Sequence, residues 1–102
     1  MTERVKVPAH LSAASRALYR GIVADYVLEP WHVRLLTEAL GSLDRAEQAR
    51  TQLDRDGLTT TTRLGELKSH PLLLVERDAR NAFARLMKQL GLDLEAPTER
   101  RR

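Results

Sequence analysis

The side chains in this chain that could do chemistry are three histidines, 14 carboxylates and 17 lysines and arginines. His10, His32 and His70 stand on separate segments, none with a partner at the spacing of a metal site. His70, directly before Pro71, reads as a helix cap or a surface residue. Asp54, Asp56 and Gly57 match the opening of a calcium loop, but its remaining ligand positions are missing. There is no glycine-rich phosphate loop, and no nucleophile stands between a strand and a helix. Paired carboxylates occur only on charged helical faces, where solvation explains them. The chain has no cysteine, so it has neither a disulfide framework nor a thiolate metal site, which fits a reducing compartment. This reading leaves no catalytic residue, no metal and no cofactor, and points to a protein that works by binding.

The cations are what remains. The net charge is only +3, with a pI near 9.8, too small an excess to argue for nucleic acid alone. Its distribution says more. Residues 1–20 carry Arg4, Lys6, Arg16 and Arg20 against Glu3, residues 38–56 lean acidic, and residues 72–90 lean basic again. Most are arginines, which suit bidentate phosphate contacts. Arg77, Arg80 and Lys88 have the spacing of the outward side of one helix, with Arg16 and Arg20 on another and Arg100, Arg101 and Arg102 closing the chain. Phosphate contact is the sharper reading of these eight residues. Solvated helix faces and a GC-rich coding bias are the plainer one. Trp31, the single tryptophan, reads first as a core or interface anchor and second as a base-stacking group.

A chain of 102 residues makes one domain. With 42% hydrophobic but only 4% aromatic residues, the core must be built from Leu, Val and Ala, which favours packed helices. Ser12 is placed to cap a first helix over about Ala13–Tyr26, striped by Leu18, Ile22 and Tyr26. Glu29 and Pro30 open a second, long helix that Gly57 ends. Its stripe is Leu35, Ala39, Leu43, Ala46, Ala49 and Leu53, flanked by Leu36 and Leu40, and Arg50 with Asp54 forms an i, i+4 pair. Gly41 interrupts it at about 1 kcal/mol relative to Ala unless another helix presses there, and the Ala-rich stripe favours such close packing.

Residues 58–69, with Thr59 to Thr62 and Gly65, fit either a short extended pair or an ordered loop. Ser69 or His70 then caps a third helix opening at Pro71, with Leu72, Val75, Ala79, Ala82, Leu86 and Leu90 in its stripe and Gly91 at its end. The expected fold is all-α: a short first helix plus a long antiparallel helical hairpin, elongated. Residues 1–10 form a flexible leader, 11–94 the helical domain and 95–102 a basic, frayed tail. A second helix of roughly 40 Å exceeds what a compact domain of about 13 Å radius of gyration can enclose. Self-association is therefore expected, with Trp31, Leu35, Leu36, Leu40, Leu43 and Leu53 as the interface. No apolar run is long enough for a membrane span and no signal-peptide core is present, so the expected location is the cytoplasm.

The ordered pattern goes further. Pro8-Ala9-His10-Leu11-Ser12 precedes the first helix, Leu28-Glu29-Pro30-Trp31-His32 opens the second, and Leu43-Asp44-Arg45-Ala46-Glu47 lies within it. Asp56-Gly57-Leu58-Thr59 ends it, followed by His70-Pro71, Glu76-Arg77-Asp78-Ala79-Arg80 and Leu90-Gly91-Leu92-Asp93. Over roughly residues 8–95 this resembles the small subunit of phage terminase, in the short helical family of tailed phages and prophages. The resemblance implies a non-catalytic protein of the host cytoplasm. It would form a ring-shaped homo-oligomer, bind viral double-stranded DNA and deliver it to a large subunit with ATPase and nuclease activities. Two other classes compete. One is a helical adaptor that docks a protein without binding nucleic acid. The other is a small DNA-binding regulator, which the absence of a tight helix-turn-helix spacing disfavours.

Overall fold

The structure, a computed structural model, describes residues 6–91. Three helices and one short hairpin follow in order: α1 (Ala13–Asp25), α2 (Pro30–Asp56), β1 (Thr59–Thr61), β2 (Leu67–Ser69) and α3 (Leu72–Leu90). The expectation of an all-α chain is thus corrected by one two-stranded antiparallel sheet, with Thr59 opposite Ser69, Thr60 opposite Lys68 and Thr61 opposite Leu67. The first five residues of the expected leader, and residues 92–102 with Arg100, Arg101 and Arg102, lie outside the described residues.

The helix boundaries follow from local chemistry. The Ser12 hydroxyl accepts from the Ser15 N–H and starts α1. Pro30 stands in the first turn of α2, where its missing N–H is no loss, and the Glu29 N–H donates to Nδ1 of His32 at 2.9 Å. Gly57 ends α2 at φ 88° and Gly91 ends α3 in the left-handed region at φ 71°, conformations that a side chain would strain. His70 starts α3: its Nδ1 accepts from the Leu72 N–H at 3.1 Å. Nδ1 being the acceptor, Nε2 carries the proton and donates to Asp56 at 2.9 Å. Asp56, held below the ordinary carboxylate range by hydrogen bonds from Gln52 and His70, ties the end of α2 to the start of α3.

Helices α2 and α3 pack against each other as an antiparallel hairpin, and α1 covers one end of it. There the core is Leu11, Tyr19, Leu36, Leu40 and Leu90, all at most 3% exposed, with Phe83 and Met87 against them. Burial raises the pKa of the Tyr19 hydroxyl. Beyond α1 the hairpin has only two helices, and its seam narrows to Ala46, Ala49, Leu53 and Ala79. Small residues let the backbones approach but bury little area, so this half is held less by apolar contact. The result is a body of 64 × 25 × 19 Å, with a radius of gyration of 17.4 Å, well above the compact value.

Gly41 overturns the expectation of close packing: a Cβ built on it meets nothing within 4 Å. Gly41→Ala is therefore expected to stabilise by about 0.4–1 kcal/mol, through lower entropy of the unfolded chain and better helix propensity. A thermal melt of the variant checks this. A lowered melting temperature would mean that a second subunit rests on that face.

Candidate nucleic-acid interface

The structure divides the eight cations singled out from the sequence. Arg80 donates to Glu76 at 3.0–3.1 Å and reaches Glu47 on α2 at 3.4 Å, and its hydrogen bond to Glu76 helps to raise its pKa. Arg50 of α2 completes the set from the other side, 3.1 Å from Glu76 and 3.6 Å from Asp54. This chain of charges fixes α3 against α2 where the apolar seam is thinnest, and it is what the acidic bias of one helix and the basic bias of the other become. Arg80 is thus engaged within the chain, though its side chain stays 42% exposed, and its charge is largely offset by Glu47 and Glu76. Arg77 is exposed but lies 3.2 Å from Asp78, whose charge offsets its own.

Arg16, Arg20 and Lys88 form no salt bridge among the described residues. Arg20 and Lys88 are exposed, Arg16 half-buried. Arg16 and Arg20 are one turn apart on α1, so they share a face. Lys88 shares the open side of α3 with Arg85, three residues back, exposed and likewise without a salt bridge among the described residues. Arg63 and Lys68 on the β-hairpin were missed, because a segment of undetermined structure gave no face on which to place them. The remaining three candidates, Arg100, Arg101 and Arg102, are outside the described residues.

The proposed interface residues also divide. Leu36, Leu40 and Leu53 are 0–1% exposed, consumed by the chain's own core, so they have no surface to give a partner. Leu35 and Leu43 are half-buried beside that core. Trp31 is 56% exposed, its ring 3.8 Å from that of His32, and Val27 beside the same corner is 61% exposed. Of the two halves of the first reading of Trp31, core or interface anchor, this exposure removes the core and leaves the interface.

Asp44 is a residue whose role no local pattern signalled. From the middle of α2 its carboxylate accepts from the Ser12 N–H and hydroxyl, both at 2.7 Å, and from the Ser15 hydroxyl at 2.5 Å. An anion thus stands at the positive end of α1 and locks that helix onto α2. Beside this lock runs an open groove of about 550 Å³ between Ala14 and Leu18 on one side and Leu43, Glu47 and Thr51 on the other. Among the described residues there is no group of three or more His, Asp or Glu that could hold a metal ion. No helix there is long and apolar enough to cross a membrane.

These features are carried by a long helical hairpin. A family model described as phage terminase, small subunit, matches residues 15–102, which takes in nearly all of α1 and everything after it. Neither the curated proteins nor the solved structures searched contain a match. The chain belongs to the phage terminase small subunit family and so has a part in phage genome packaging.

Proposed function

We propose that this protein assembles into a ring-shaped homo-oligomer, binds viral double-stranded DNA and presents it to the terminase large subunit. That large subunit would supply the ATPase and nuclease activities, and this chain, working in the host cytoplasm, would catalyse nothing. The observation that carries the reading is the family match over residues 15–102, joined to a body that is elongated and thinly cored along half its length. Exposed Trp31 and Val27 at one corner, and Leu74 on α3, supply apolar surface for contacts between subunits. Arg16, Arg20, Arg85 and Lys88, which form no salt bridge among the described residues, give each subunit a few cations for phosphates. A charge of +3 is too weak for tight binding alone, but a ring repeats each patch, and weak sites then add through effective concentration.

The test is a titration of duplex DNA at several salt concentrations. Removing Arg16, Arg20 and Lys88 together should make log affinity less steep against log salt by about 2.7, or about 0.9 for each lost phosphate contact. Arg80→Ala should instead act on stability, by loosening α3 from α2. Absence of binding by the unaltered protein at low salt would favour the helical adaptor.

A further inference from the structure

We propose that the β1–β2 hairpin is a DNA-contacting arm, in which Arg63 and Lys68 hold phosphates while Leu64 wedges against a base step in the minor groove. The inference rests on the reading that this protein binds duplex DNA, and it names an element of the chain to which no role has been given.

The hairpin is not part of the core. Its strands pair mainly with each other, every residue of β2 is exposed, and so are Thr59 and Thr61 of β1. Pairing puts Thr59, Thr61, Leu67 and Ser69 on one face, which therefore shows three hydroxyls, able to donate to phosphate oxygens, around one leucine. At the apex Leu64 is 86% exposed, and Leu67 behind it is 74% exposed. An isolated two-stranded hairpin is marginal in water, and large apolar side chains at its tip add nothing to its own stability. They are placed for something outside the chain.

The arm is nevertheless stiff. Across the turn the Thr62 N–H donates to the Glu66 carbonyl at 2.8 Å, and the Gly65 N–H donates to the Thr62 carbonyl at 2.9 Å. The Thr62 hydroxyl accepts from the Glu66 N–H at 3.1 Å, and Gly65 takes the positive φ, 86°, that the turn needs. At the root the His70 N–H donates to the Leu58 carbonyl, while the His70 side chain binds both Asp56 and the first turn of α3. The tip is thus held ready, with little ordering left to be done on binding.

Charge decides between partners. Arg63 and Lys68, like Arg16, Arg20, Arg85 and Lys88 on the helices, have no salt bridge among the described residues. Arg63 beside the exposed leucine at the tip, and Lys68 on the face of the ribbon opposite the hydroxyls, place a cation towards each side of a groove, which matches a polyanion that also offers apolar base faces. Proteins that insert such wedges unstack a base step and kink the duplex by about 20–90°. A ribbon whose strands are about 4.8 Å apart is, with its side chains, wider than a minor groove of about 6 Å, so entry requires the groove to open. Bending is therefore an inherent consequence of the proposal and gives it a readout independent of affinity. Glu66, the single carboxylate between residues 57 and 70, opposes binding.

The experiment uses the full chain and a duplex labelled at both ends, following affinity by anisotropy and bending by energy transfer. Arg63→Ala with Lys68→Ala should make the salt slope less steep by about 1.8. Leu64→Ala should leave that slope unchanged and bring the duplex ends back towards the straight spacing. Glu66→Gln should tighten binding. The melting temperature and the mass by light scattering should not change, since all four side chains are exposed. If the unaltered protein binds and none of these variants alters slope or bend, the arm is refuted while DNA binding stands. If the unaltered protein does not bind at low salt, both fall. If Leu64→Ala lowers the mass of the particle, the hairpin joins copies of the chain, and the proposal is overturned.

Discussion

Leu40→Ala is expected to destabilise the protein by about 2–5 kcal/mol, the range for emptying a leucine site in a packed core. Leu40 is 1% exposed and lies where all three helices meet, against Leu36, Tyr19 and Leu90. None of these neighbours can follow the lost methyl groups without moving a helix, so a cavity remains and its lining loses contacts. Denaturant titration should show a lower midpoint with an unchanged slope. A loss below about 1 kcal/mol would mean that α1 does not close over this end of the hairpin. Trp31→Ala makes the contrast. Its ring is more than half exposed, so the fold should hardly change, and the effect should fall on association instead.

Asp44→Ala is the second large effect, expected to cost about 1–3 kcal/mol. The substitution removes three hydrogen bonds to one carboxylate and leaves the hydroxyl of Ser15, itself 1% exposed, without its acceptor. Burial works to raise the Asp44 pKa, but hydrogen bonds from Ser15 and Ser12, with the charge of His10, outweigh it and hold the group below its ordinary value. The sign of the pH dependence follows. A carboxyl with a depressed folded pKa contributes its stability in full above its unfolded value, near about pH 4, and loses it as pH falls through the folded one. Wild type and Asp44→Ala should therefore differ most at neutral pH and converge in acid. Equal stability at neutral pH would refute the lock between α1 and α2.

What the sequence made legible was decided by short-range chemistry. Ser12, Pro30, Gly57 and Gly91 act within a turn of where they stand, and the helices begin and end within a residue or so of the positions those residues mark. The phase of α2 was less accessible. Its apolar stripe is broad, and only the presence of α1 on one side turns Leu36 and Leu40 fully inward while Leu35 and Leu43 stay half-buried. The β-hairpin was open between two readings because a run of threonines has no apolar alternation, and strands of three residues carry little pattern. Asp44 and Arg80 were unreadable for a different reason. The partners of Asp44 lie 29–32 residues away, and Arg80 adds to its local partner Glu76 a contact with Glu47, 33 residues away; a charged residue on a helical face looks the same whether it meets solvent, an opposite charge or a helix end. The division of the basic residues into free and paired is thus a tertiary fact.

The mass of the purified protein by light scattering after size exclusion tests the central claim most directly. The chain weighs 11.6 kDa, and its exposed Trp31 and Val27, its thin distal seam and its terminase small subunit family all point to an assembly. The account predicts a single species at a whole multiple of that mass, seen as closed rings by electron microscopy and reduced in mass or stability by Trp31→Ala. A monomer of 11.6 kDa at tens of micromolar, a range on the order of that ample for an obligate assembly, would contradict it.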